Sequence, residues 1–188
     1  MKNIYFTLFI VFAFSFVSGQ DKNSMIKNID KKVMTISQER NYQIVILKNE
    51  EFLDTAFIKQ AGKGYGQLTG YLKNNTIFKI RELIGISQMH DKAITEYFFS
   101  EGKLIYVSET ENYGPAVMVD STGTRDFKKE NADFEGQYYF ADDKLINSKT
   151  SGQPQILPNE MYFDSQSKEG QLLLSAEKYV ALLKKKKK

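Results

Sequence analysis

The sequence predicts an α+β fold, an antiparallel β-meander of about six to eight strands built from hairpins, with one helix before it and one after it. Three observations carry this. The segment Tyr97-Phe98-Phe99-Ser100-Glu101-Gly102-Lys103-Leu104-Ile105 returns as Tyr138-Tyr139-Phe140-Ala141-Asp142-Asp143-Lys144-Leu145-Ile146: aromatics, a polar break and an apolar return. A looser relative runs through Tyr71-Leu72-Lys73-Asn74-Asn75-Thr76-Ile77-Phe78. Single apolar stripes at helical spacing lie outside these segments, at either end of the chain.

The front of the chain has the anatomy of a cleaved export signal. Met1-Lys2-Asn3 is a short basic start, 4–16 is an aromatic-rich apolar run, and Val17-Ser18-Gly19 offers small residues for cleavage before Gln20. The run is shorter than the roughly 20 apolar residues that span a bilayer. No cysteine follows it, which argues against a lipid-anchored lipoprotein. The expected organisation is a signal at 1–19, a single domain at 20–183 and a lysine tail at 184–188, in a protein that is secreted or periplasmic.

Over 23–38, Met25, Ile29, Val33 and Ile36 form one stripe, which predicts the first helix. The β-branched run 43–47 reads as a short buried strand, and Gly62-Lys63-Gly64-Tyr65-Gly66 as a turn whose glycines allow positive φ. Hairpins are expected to turn at Asn74-Asn75, Glu101-Gly102 and Asp142-Asp143. The irregular spacing of the repeats argues against a solenoid. Over 171–183, Leu172, Ala176, Tyr179 and Leu183 share a stripe, and the lysines beyond suit the negative end of a helix.

With a regular two-residue loop, Phe99 opposes Leu104 and Tyr97 opposes Tyr106 on one face, while Phe98 opposes Ile105 on the other. In the twin, Phe140 faces Leu145, Tyr138 faces Asn147 and Tyr139 faces Ile146. Both faces are then apolar near the turns. The terminal helices can cover one face; the other needs a second sheet layer or remains a binding surface.

Composition excludes several chemistries. Lys+Arg number 26 against 23 Asp+Glu, and five of the bases are the run Lys184-Lys185-Lys186-Lys187-Lys188, so the body is mildly acidic. No nucleic-acid partner is expected, since such binding needs a basic face. The chain has no cysteine and one histidine, His90, which leaves zinc without ligands and makes His90 the obligatory base of any Ser-His-Asp triad. Asp120, Asp126, Asp142 and Asp143 lack the spacing of a calcium loop. No metal, cofactor or catalytic residue is expected. The tyrosines Tyr97, Tyr106 and Tyr138, placed on one face away from the turns, are the candidate ligand-binding residues, since Tyr joins apolar area to a hydrogen-bonding tip. Ordinary core packing is the alternative for them.

Two resemblances bear on this. Ala116-Val117-Met118-Val119-Asp120-Ser121-Thr122-Gly123-Thr124 resembles the phosphorylated-aspartate loop of P-type ATPases over five motif residues, in a chain too small for that machinery; a strand and a Ser/Thr/Gly turn is the simpler reading. The Tyr-aromatic-Phe-x-x-[Gly/Asp]-Lys-Leu-Ile hairpins resemble those of small exported bacterial proteins and, loosely, MORN-type repeats, without the regularly spaced MORN glycines. That resemblance implies a sheet and transfers no catalytic residue. The expected role is an exported, non-catalytic binding or envelope-associated module, whose partner is an envelope or extracellular protein or glycan. The lysine tail offers weak contact with anionic surfaces. The alternative is a small secreted hydrolase acting on an envelope polymer through carboxylates.

Overall fold

The computed structural model describes residues 18–53, 64–86, 91–112, 133–154 and 167–187. The apolar run at 4–16, His90 and the 116–124 segment lie outside these residues. Helix α1 (Ser18–Gln38) leads into strand β1 (Gln43–Lys48) and a single 3-10 turn (Asn49–Glu51). Strands β2 (Gly64–Lys73), β3 (Thr76–Ile86), β4 (Asp91–Ser100), β5 (Lys103–Asn112), β6 (Phe134–Ala141) and β7 (Lys144–Gly152) follow, then helix α2 (Lys168–Lys186). The strands form one antiparallel sheet in the order β1-β2-β3-β4-β5-β6-β7. The α+β meander and its three hairpins are as the sequence predicts.

The tight turns are left-handed at both central positions: φ is 49° and 67° at Asn74-Asn75, 55° and 79° at Glu101-Gly102, and 48° and 59° at Asp142-Asp143. This is the primed geometry whose twist matches the flanking strands. It also puts non-glycine residues where a Cβ is disfavoured.

The register beyond the turns differs from the regular one. Phe99 pairs with Leu104 and Phe140 with Leu145, as expected, but the next pairs are Phe98 with Tyr106 and Tyr139 with Asn147. Leu72 pairs with Ile77 and Tyr71 with Lys79 in the first hairpin. Each returning strand therefore carries one extra residue, Phe78, Ile105 or Ile146, as a β-bulge. Tyr97 consequently pairs with Val107, and Tyr138 with Ser148. The expected pairings Tyr97–Tyr106, Phe98–Ile105, Tyr138–Asn147 and Tyr139–Ile146 are corrected by these bulges.

The terminal helices cover opposite faces rather than sharing one. α1 buries Ile29 and Ile36 against Phe98, Ile105, Tyr106 and Tyr139, with Phe78 and Ile146 beside them. Two of these partners, Ile105 and Tyr106, are consecutive, because a bulge lets neighbouring side chains point to one side. Met25, expected on the stripe, stays 38% exposed, and Ile26 packs instead. α2 buries the expected stripe of Leu172, Ala176, Tyr179 and Leu183 on the larger core of Leu68, Leu72, Ile80, Tyr97, Val107, Tyr138 and Phe140. Ser167 caps its start by accepting from the Gly170 amide. The helix continues through Lys186 instead of ending at 183.

Two further expectations are corrected. Gly64-Tyr65-Gly66 opens strand β2, and Gly66 serves close packing: a Cβ there would collide with Phe52 and Leu53. β1 is an edge strand rather than a buried one, with Leu47 in the core and Ile44 and Ile46 exposed.

Helix α2 needs a flat seat on the sheet. A Cβ on Gly70 would lie 2.8 Å from the Leu183 side chain, which is fully buried. Gly70→Ala is expected to cost about 1–3 kcal/mol by overpacking. Gly85→Ala should cost far less, because its nearest neighbour is the half-exposed ring of Tyr65, which can swing away. Urea unfolding of the two variants checks the contrast. Glu101→Asn creates the preferred Asn-Gly turn and is expected to stabilise by roughly 0.5–1 kcal/mol in the same assay.

Candidate functional site

The three candidate tyrosines do not form one stripe. Tyr97 and Tyr138 lie under α2, while Tyr106 lies on the other face under α1 against Phe98 and Tyr139. All three are buried, at 3%, 4% and 8% exposure. Burial pushes each hydroxyl pKa up; the charges of Glu82 and Glu109 add to this at Tyr97, Glu109 at Tyr138, and Tyr139 and Asp30 at Tyr106. They are core residues, so a ligand surface has to be sought elsewhere.

Two of them border a polar cluster that sequence reasoning missed. The row Glu82, Thr95, Glu109 crosses β3, β4 and β5 on the α2 face, and Glu111 follows one step along β5. All four side chains are buried. Tyr179 on α2 donates to Glu82 Oε1 at 2.5 Å, and its ring stands edge-on to Tyr97, with centroids 5.8 Å apart. Lys168, the first residue of α2, donates to Glu109 Oε1 at 2.7 Å and sits 5.3 Å above the Tyr138 ring. Glu109 Oε2 is the one buried side-chain oxygen among the described residues with no hydrogen-bond partner.

Burial raises the Glu82 pKa to about 7; the Tyr179 hydrogen bond and the Lys178 charge oppose the rise and Glu109 adds to it. Glu82 thus holds a proton near neutrality, whereas Glu109 has a cation to balance its charge. The two acids sit two strands apart, so their main chains are about 10 Å apart, too far to share a proton. Tyr179 occupies one oxygen of Glu82, and Lys168 one of Glu109. The cluster therefore acts first as the polar fastening of α2.

Two hollows lie at the tight-turn end. One of about 280 Å³ is lined by Lys31, Lys32, Ile36, Phe78 and Ser100; the other, about 380 Å³, by Asn75, Ile77, Glu101, Val180 and Lys184. Phe99 borders both, and neither reaches Glu82 or Glu109. Among the described residues no group of three His, Asp or Glu side chains is placed to hold a metal ion. Asp142 is engaged with Lys103 at 2.8 Å.

The α1 face is different away from the turns. α1 covers it over Phe98, Ile105, Tyr106 and Tyr139. Beyond them run two rows, Ile46-Thr69-Arg81-Glu96-Ser108-Gln137-Lys149 and Lys48-Gln67-Leu83-Ile94-Thr110-Glu135-Ser151. Every member except Thr69 is at least partly open to solvent. Glu96 bridges Lys79 at 2.8 Å and Arg81 at 3.7 Å, at the boundary between the covered and open halves. The result is an open sheet surface with both charge signs and small aliphatic patches.

Comparison with protein-family models, curated proteins and solved structures finds no match for this chain. Among the described residues no helix is long and apolar enough to cross a membrane.

The buried acids set two expectations. A carboxyl whose pKa is raised on folding stabilises most below its unfolded value, and that contribution is lost as pH rises through the folded value. Stability from Glu82 should therefore fall between about pH 4.5 and pH 7, by on the order of 3 kcal/mol. Urea unfolding of Glu82→Gln beside the parent isolates it: the parent-minus-variant difference should decline over that interval and be flat at higher pH, up to where tyrosines ionise. Lys168→Met should cost about 3 kcal/mol by stranding Glu109, and adding Glu109→Gln should recover part of the loss. Equal stability of the single and double variants would show that the ion pair does not hold the helix.

Proposed function

We propose that this protein is an exported, non-catalytic binding module that works in the periplasm or outside the cell, and that its contact surface is the open half of the α1 face. The observation that carries this is the pair of consecutive rows, crossing all seven strands, in which nearly every side chain reaches solvent. On the opposite face the corresponding positions on β3, β4 and β5 are buried. An open sheet surface of mixed charge with Leu83 and Ile94 partly exposed suits an extended partner, an envelope or extracellular protein or glycan, more than a small molecule, which needs concavity. Arg81 and Lys149 alternate with Glu96 and Glu135, a mixture that does not favour nucleic acid.

A hydrolase reading has one observation in its favour, the two buried acids Glu82 and Glu109 in one row, with the Glu82 pKa raised by burial. Both acids are occupied by α2, and binding is the better supported reading. The lysine run supports at most weak attachment to anionic surfaces, because Lys186 pairs with Glu51 and Lys187 donates to Asn75 at 2.8 Å.

Capture of envelope fractions and glycan arrays by the immobilised protein tests the surface. The double variant Thr110→Lys/Gln137→Lys changes the open face without entering the core and is expected to lower capture at least about tenfold, or 1.4 kcal/mol, with circular dichroism unchanged. Undiminished capture would remove this face from consideration. Tyr106→Ala should instead lower stability by about 3–5 kcal/mol, as loss of a buried aromatic does.

A further inference from the structure

The sheet is open-ended, and its two edges are built differently. β7 is exposed along most of its length but polar, with Lys144 and Lys149 at the edge. Lysines on an edge strand oppose pairing with another chain. β1 is Gln43-Ile44-Val45-Ile46-Leu47-Lys48, and Ile44 and Ile46 are 48% and 42% exposed. Among the described residues no strand lies on its outer side. An apolar edge with unpaired main-chain groups is a template for another strand.

We infer that β1 pairs with β1 of a second copy, antiparallel, about a twofold axis that passes through Val45 perpendicular to the sheet. Such an axis keeps each face of the sheet on its own side, so residues placed opposite must have the same parity. With Val45 on the axis, Ile44 of each copy faces Ile46 of the other, and four exposed isoleucines close into one apolar cluster. Moving the axis to Ile46 sets Ile44 against Lys48; moving it to Ile44 sets Ile46 against position 42, outside the strand. The chosen register is the one that covers both exposed side chains. Charge agrees with it. Exposed Arg40 precedes the strand and exposed Glu50 follows it, so antiparallel alignment brings opposite signs to each end of the junction, twice by symmetry.

The pairing shares only Ile46 and Lys48, at the β1 edge, with the binding surface proposed above and is tested by separate means. Sedimentation velocity of the purified protein up to about 100 µM should show a dimer, and Ile46→Lys should sediment as a monomer with unchanged circular dichroism. Since the chain has no cysteine, single-cysteine variants report the register. Mixing Ile44→Cys with Ile46→Cys should give at least about five times the disulfide-linked dimer of either alone, because opposed residues come within bridging range and 44–44 or 46–46 diagonals do not. A parent protein that stays monomeric overturns the inference, and β1 would then await an extended segment of another protein. So does an Ile46→Lys variant that associates as before, or cross-linking that is equal in all three samples.

Discussion

One extra residue per hairpin governs this molecule. In a regular ladder, the aromatic of each strand and the apolar return of the next would divide evenly between the two faces. The bulges at Phe78, Ile105 and Ile146 interrupt that alternation at the same place in three successive hairpins. Each bulge reverses the alternation beyond it: Tyr106, which a regular strand would have sent to the other face, joins Ile105 on the α1 side, and Lys79 and Asn147 are moved in the same way in the other two hairpins. Tyr106 thereby enlarges the apolar patch of Phe98, Ile105 and Tyr139 that α1 buries. Farther along the strands the alternation resumes, now with mainly polar residues beside Leu83 and Ile94 on the α1 side, and the helix finds little apolar surface there. In β5 one bulge thus sets both Tyr106 on the covered half and Ser108 and Thr110 on the open half.

The opposite face has a different balance. α2 covers the larger core, yet its contact includes Tyr179 on Glu82 and Lys168 on Glu109 as well as leucines. Removing charged groups from water is costly unless their partners are well placed, so these contacts add position more than net stability. A stripe of leucines could slide along an apolar sheet by a turn. A tyrosine hydroxyl and an ammonium, each with a buried carboxyl group to satisfy, cannot. The polar cluster therefore fixes where α2 sits, and Gly70, which makes room for Leu183, fixes how closely it approaches.

The architecture was legible because it rests on local signals. The three turns were readable from their Asn, Asp and Gly residues, and the α2 stripe from its spacing. The faces were not, because a bulge leaves no mark in an apolar run: Lys103-Leu104-Ile105-Tyr106 reads equally well as a regular strand. That one missed residue moved Tyr106 to the far side of the sheet from Tyr97 and dissolved the tyrosine stripe. Glu109 and Glu111 were missed for a related reason. Ser108-Glu109-Thr110-Glu111 reads as a solvated strand end, and only its alternation with Val107, a core residue, shows that the glutamates point inward. Glu82 stood between Arg81 and Leu83 with no local sign of burial. These sites are made by register, and register is a long-range property.

The two ends of the sheet also divide the labour. Three two-residue turns close one end, while the connections 49–63, 87–90, 113–133 and 153–167 all leave from the other. A two-residue primed turn admits few sequences and few shapes, so the first end is fixed by backbone geometry. Longer connections are free of that constraint and are where binding residues are commonly placed. The open rows of the α1 face lie in the half of the sheet nearer these connections, and so do Glu109 and Glu111 on the other face. The half of the α1 face that the helix leaves uncovered is the half nearer these longer connections. The register that brings Ile105 and Tyr106 together under α1 also sets Ser108 and Thr110 on the open half of the same face.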